Sequence, residues 1–203
     1  MLISRRGLVI AAASASIAPF AFAQTASKPD HAGFAPWSPP KAAGLKAPLE
    51  KMVDLGGKQL SIGEWMAGQP AVLSLWATWC GPCLAEKHYQ AKMSARLVQA
   101  HTRLRFLAIQ AFDDVALRDA RKLLKKLGAD TLTNARASGE AEKAFVSIFG
   151  KSPVEPWRTS MPALLLVTGD GEILGSVIGM MPSIEGKDSY WADDTTFDFL
   201  SRL

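Results

Sequence analysis

Ala71-Val72-Leu73-Ser74-Leu75-Trp76-Ala77 runs straight into Thr78-Trp79-Cys80-Gly81-Pro82-Cys83. The first seven residues are a nearly continuous apolar run, as expected of a strand covered on both faces. From Gly81 to about His101 the pattern predicts a helix, with Leu84, Tyr89, Met93, Leu97 and Ala100 roughly on one face. Pro82 falls in its first turn, where a missing N–H is no loss and the fixed φ suits the helix. Cys80 therefore stands at a helix N-terminus, where unpaired N–H groups and the macrodipole favour an anion. Its thiol pKa is expected below the free value, and the thiolate is the reactive form. The two-residue spacer places Cys83 one turn on, able to attack a mixed disulfide on Cys80. This makes Cys80 the candidate nucleophile and Cys83 the candidate resolver.

Upstream of this strand, Met52–Leu55 and Gln59–Leu60 flank the turn Gly56-Gly57, and Ser61 can cap a short helix through Met66. Downstream, Leu104–Gln110 predicts a second buried strand. Asp113 or Asp114 is expected to cap a helix to about Leu127, with Leu117, Leu124 and Leu127 inward and Arg121, Lys122, Lys125 and Lys126 on a solvated face. Gly128 stops it. Leu132–Ala135 reads as a short strand, and Ser138 caps a helix to Phe149. Ala163–Thr168 and Glu172–Gly179 form a hairpin around Gly169-Asp170-Gly171, and a last helix spans about Asp194–Arg202, with Phe197 and Leu200 on one side. Strands alternating with helices predict a three-layer α/β domain with a mixed sheet.

The chain has 203 residues, 48% hydrophobic and 21% charged, a globular composition. Its net charge of +4 drops to +2 without Arg5 and Arg6, which is no argument for nucleic acid. Met1–Ala23 predicts a removable export signal: a charged start at Arg5 and Arg6, an apolar Gly7–Ala18, and a small-x-small site at Ala21-Phe22-Ala23. Ser4-Arg5-Arg6-Gly7-Leu8-Val9 resembles a twin-arginine signal. The uncharged stretch Gly7–Ala23 is broken by Pro19 and short of the ~20 apolar residues that span a bilayer, so no stable anchor is expected after cleavage. Gln24–Pro48, with Pro29, Pro36, Pro39, Pro40 and Pro48, reads as an extended arm for which Trp37 is a candidate pin. The folded domain is expected from 49 to 203.

Cys80 and Cys83 are the only cysteines in the chain. They cannot complete a four-thiolate zinc site, although Cys-x-x-Cys is half of a metal site. A copper-binding assembly chaperone using both thiolates and one of His31, His88 or His101 stays open as an alternative. The expectation is no metal and no cofactor beyond a redox-active Cys80–Cys83 disulfide.

Trp76-Ala77-Thr78-Trp79-Cys80-Gly81-Pro82-Cys83 resembles the active site of the thioredoxin superfamily. Other features are similar to its exported TlpA/ResA-type branch: the signal segment, the arm, Gly57-Lys58-Gln59-Leu60-Ser61, and Glu86 three residues after the second cysteine. Met161-Pro162 before an apolar strand and Thr168-Gly169-Asp170-Gly171-Glu172 complete the likeness, which covers roughly Leu49–Leu203.

The resemblance implies a thioredoxin fold, a mixed central sheet flanked by helices, with an N-terminal extension. It also implies periplasmic thiol–disulfide exchange that reduces chosen protein disulfides, in cytochrome c maturation or copper-centre assembly. The partners would be a client protein with a disulfide and a membrane electron donor. Substrate contact falls to Trp79, Gly81, Pro82, Met161 and Pro162, with Pro162 in a cis bond facing the cysteines. Sequence alone favours trans, and Met161 is equally a gap filler.

Glu86 shares a helix face with Cys83 and could take its proton. The residues alone leave open a solvated glutamate of an early helical turn. Where classical thioredoxin carries a buried Asp, this chain has Ser74, so proton handling falls to Glu86, water or Lys87. Gly81-Pro82 gives a thiolate only backbone help, which argues for a reductase rather than a strong oxidant. A peroxidase of the related peroxiredoxin type would want Thr where Ala77 stands.

Overall fold

Strand β3 (Ala71–Trp76) buries all six of its side chains, and the sheet is built around it. On one side it pairs in parallel with β4 (Arg105–Gln110), Leu73 opposite Leu107, and β4 pairs in parallel with β5 (Thr133–Arg136). On the other side β6 (Ala163–Val167) runs antiparallel, Ala163 opposite Leu75, and β7 (Ile173–Ile178) returns beside it. The hairpin of β1 (Lys51–Asp54) and β2 (Gln59–Ser61) joins at β5, giving the order β2-β1-β5-β4-β3-β6-β7. This computed structural model describes residues 37–39, 44, 46–48, 51–181 and 189–203. The expected export signal, Met1–Ala23, lies outside them, as does the arm before Trp37.

Alternate residues of the strands point to opposite faces, and each face has its own helices. Val72, Trp76, Phe106 and Leu164 pack under α2 (Gly81–Gln99), α3 (Leu117–Lys126) and α5 (Asp194–Ser201). Leu73, Leu75, Ile109 and Leu165 pack under α1 (Ile62–Met66) and α4 (Gly139–Phe149). The expected caps of these last two helices are in place. Ser61 Oγ accepts from Glu64 N at 3.4 Å, and Ser138 Oγ from Ala141 N at 3.2 Å.

Three local expectations are corrected. Neither Asp113 nor Asp114 caps α3; Ala116 stands at its N-cap with no side-chain bond, because the Asp113 carboxylate is drawn to the Thr78 backbone. Helix α2 ends at Gln99, with His101 in the left-handed region at φ 54°. Ala100 is exposed rather than inward, and Leu84 and Tyr89 are only half-buried. Met93 and Leu97 are buried as expected, and α2 also buries Cys83, Glu86, Lys87 and Gln90. A 3₁₀ turn at Tyr190–Ala192, which no sequence pattern announced, packs Trp191 into the α2 side of the core.

The arm is bound to the domain where it is described. Trp37 is buried and donates from Nε1 to the Tyr190 hydroxyl at 3.1 Å. Ser38 and Ser176 exchange two backbone hydrogen bonds of 2.9 Å, and Lys46 bridges to Glu172. Gly175 of β7 leaves room for Trp37: a Cβ there would lie 3.3 Å from the Trp37 Cβ.

Candidate active site

The chain leaves the C-terminal end of β3 and turns through Ala77–Trp79 into α2. Two side chains fix that turn. Asp113, just beyond β4, accepts from Thr78 N at 2.6 Å and from Thr78 Oγ1 at 3.2 Å, and Gln110 and Val115 N also donate to it. Burial pushes the Asp113 carboxyl up, but these hydrogen bonds outweigh it and hold the group below its ordinary value. Trp79 donates from Nε1 to Phe112 O at 2.9 Å while its ring stays about half exposed, capped by the Arg158 guanidinium 4.4 Å from the ring centroid.

Cys80 occupies the N-cap of α2, and its Sγ accepts from Cys83 N at 3.2 Å. It is bonded to Cys83 in a disulfide. Both sulfur-bearing residues are buried, whereas Gly81 and Pro82 between them are exposed. A thiolate at Cys80 would thus meet at least one aligned backbone N–H at a helix N-terminus, the environment that lowers a thiol pKa.

Met161-Pro162 is a cis peptide bond. The antiparallel register that sets Ala163 opposite Leu75 puts Pro162 level with Trp76, at the strand end from which the cysteine turn departs. Met161 is half-buried and packs against the cluster that contains Cys80 and Cys83. Trp76 itself is fully buried core.

Glu86 is a buried carboxylate, not a solvated one. Its oxygens accept from Met181 N at 2.8 Å, Gln90 Nε2 at 3.2 Å and Trp191 Nε1 at 3.4 Å. Burial raises its pKa above the ordinary value, opposed by these donors and by the Lys87 charge. Lys87 is completely buried, and burial lowers its pKa to about 7 against the opposing effect of Glu86. Its Nζ donates to Ser74 Oγ at 2.9 Å and to Gln90 Oε1 at 2.7 Å. Ser74, which replaces the expected aspartate, is thus one end of a buried polar network. Gln90 was missed by following only apolar positions along α2. The signal was the i, i+3, i+4, i+7 spacing of Cys83, Glu86, Lys87 and Gln90.

Beside the turn lies a groove of about 710 Å³ whose lining includes Trp79, Phe112, Trp157, Asp114 and Glu155. Among the described residues no three His, Cys, Asp or Glu are grouped to hold a metal ion. His88 packs edge-on against Tyr89, their ring centroids 5.6 Å apart, and His101 is exposed. His31 lies outside the described residues.

Three solved structures share this architecture. The thioredoxin domain of a thiol-disulfide oxidoreductase from Bacteroides vulgatus aligns with a TM-score of 0.56 at 17% identity, covering 78% of this chain and 98% of that one. A thiol:disulfide interchange protein of the thioredoxin family from Chlorobium tepidum TLS gives 0.55 at 20%, covering 77% and 98%. A secreted disulfide oxidoreductase of Mycobacterium tuberculosis gives 0.53 at 20%, covering 76% and 96%. These likenesses establish a thioredoxin-like fold. Over 52 residues, 25% of its length, the chain is 40% identical to the thiol:disulfide interchange protein DsbE of Pasteurella multocida (strain Pm70). That match spans 29% of the relative, less than a third of its length. The family model described as Redoxin matches residues 42–189, and on that span the chain belongs to the Redoxin family.

Proposed function

We propose that this chain is an exported thiol–disulfide oxidoreductase that reduces disulfides of chosen client proteins through the Cys80–Cys83 dithiol. The observation that carries this reading is the placement of Cys80 Sγ at the N-cap of α2, accepting the Cys83 N–H and bonded to Cys83 one turn on. The family, the fold and the named activities of similar proteins support the same reaction class.

In the reduced protein the Cys80 thiolate attacks one sulfur of a client disulfide. The new bond joins Cys80 to the client, and the client's second sulfur leaves as a thiolate. Cys83 then loses its proton and attacks Cys80 Sγ, which expels the client's first sulfur. The client gains two electrons, and the protein is left in the disulfide state described above. Glu86 is the proposed acceptor of the Cys83 proton: burial has raised its basicity, and it lies one helical turn from Cys83 on the same face. The exposed Gly81-Pro82 pair lets a client chain approach, with Trp79 and the half-buried Met161 at the rim and Pro162 buried next to Met161. Gly81 and Pro82 add no charge to stabilise the thiolate, which favours the reducing direction.

The reading places the protein in the periplasm after removal of 1–23, recharged there by a membrane electron donor. Clients of the cytochrome c maturation or copper-centre type fit the TlpA/ResA likeness. The test is a trap. With Cys83→Ala the mixed disulfide on Cys80 cannot resolve, so a periplasmic extract should yield a covalent, reductant-sensitive adduct. A reduced wild-type protein that leaves protein disulfides intact, with no adduct on the variant, would overturn the proposal.

A further inference from the structure

The exchange steps above leave Lys87 unused, yet it is completely buried on the reacting side of the sheet. Lysine is almost never fully buried unless paired, and both hydrogen-bond partners of this one, Ser74 and Gln90, are uncharged. Gln90 is the link. Its Oε1 takes the Lys87 amine at 2.7 Å, while its Nε2 donates to Glu86 Oε2 at 3.2 Å. The amide is therefore oriented by an amine on one side and a carboxylate on the other. With Cys83, these residues form a buried stripe at i, i+3, i+4 and i+7 on one face of α2.

We propose that Lys87 is a positioning residue for the resolving step: its buried amine, joined through Gln90 to Glu86, keeps Glu86 ionised and able to receive the Cys83 proton. The inference rests on the oxidoreductase reading given above. The groups facing the pair are Ser74 from β3, Gln90 from α2, and the Met181 N–H and Trp191 indole, both on Glu86. Glu86 is the charged group that acts on Lys87. An ammonium in this apolar setting opposes the burial that would otherwise protonate Glu86, so its removal raises the Glu86 pKa further. The amine loses its own proton near pH 7, which confines the effect to pH values below about 8.

Lys87→Met and, as a second neutral variant that keeps polar contacts to Ser74 and Gln90, Lys87→Gln test this. Reduced protein mixed with dithiobis-nitrobenzoate releases two thionitrobenzoate anions: the first as Cys80 attacks, the second as Cys83 attacks the mixed disulfide on Cys80. Stopped flow resolves the two phases. In either folded variant the acid limb of the second phase should move up by about one pH unit, about tenfold slower release along that limb. The two proteins should converge at pH 9, and the first phase should not change. Carboxyl NMR of oxidised protein should show Glu86 titrating at higher pH in the variants. That measurement needs no exchange partner, so its outcome is independent of whether the chain reduces protein disulfides. Equal slowing at every pH, or a Glu86 titration unmoved in the folded variants, overturns the proposal.

Discussion

The two faces of the sheet are made from alternate residues of the same strands, and they differ in what they bury. On the α4 side, Leu73, Leu75, Ile109 and Leu165 meet Ile62, Met66 and Phe145, and none of the buried charged residues Glu86, Lys87 and Asp193 belongs to α1 or α4. On the α2 side the same strands present Val72 and Trp76, but Ser74 lies between them under Lys87, Gln90 and Glu86. One face is packed with apolar side chains. The other gives up apolar contact to hold two ionisable groups beneath the disulfide, and burying such groups costs several kcal/mol per ion after relaxation. The division predicts that chemistry and stability can be altered separately, a change on one face leaving the other's packing in place.

The sharpest test of this division is a loss of function without a loss of fold. Cys80→Ala should abolish disulfide reduction altogether, while circular dichroism of the reduced protein stays native. Cys83→Ala should retain one attack and then stop. The opposite result is expected on the apolar face. Phe145→Ala empties a fully buried aromatic site in α4 and should lower unfolding free energy by about 3–5 kcal/mol, with the two-phase thiol kinetics of the surviving folded protein unaltered. Slowed kinetics in that variant would show that the faces are coupled through the strands.

A smaller effect concerns pH. The folded value of Lys87, about 7, lies below its ordinary 10.5. Between those values the folded chain holds fewer protons than the unfolded chain, so stability should rise with pH across that window. Below pH 7 the ammonium must stay buried and that gain is absent. Denaturant unfolding of wild type and Lys87→Met at several pH values should show the wild type gaining on the variant from pH 7 to 10, by on the order of a few kcal/mol. No divergence would mean that the folded amine keeps its proton up to about pH 10, as it would if water reached it. The smallest effect is expected at Trp37→Phe, which removes the bond to Tyr190 and should cost about 1 kcal/mol without touching the thiol kinetics.

The architecture was legible because its signals were local. The apolar Ala71–Ala77, the capping serines Ser61 and Ser138, and the Gly169-Asp170-Gly171 turn each act within a few residues, and each lies where the pattern predicted. Cys80 at the head of α2 was legible for the same reason. What the sequence hid were long-range choices. Asp113 has the chemistry of a helix cap, but Thr78, 35 residues earlier, presents a better donor. Apolar periodicity described α2 poorly because its buried face is partly polar, and such a face is invisible until the partners from β3 and Trp191 are known. Glu86 could be placed beside Cys83 by spacing, but its burial depends on Met181 and Trp191, 95 and 105 residues away.

The pairing of Ser38 with Ser176 bears on how the protein can be handled. In the sheet order β7 is terminal, so its outer backbone groups face no other strand of the sheet. The arm takes up part of that row, at Ser38 and Lys46, and Trp37 seals it over Gly175. A recombinant version trimmed to begin at residue 49 would keep every element of the sheet and strip this cover. Its open rim would then be a template for another copy, and strand-to-strand addition is the route by which uncovered sheets aggregate. A cut at residue 49 would uncover this edge, whereas a start upstream of Trp37 keeps it covered.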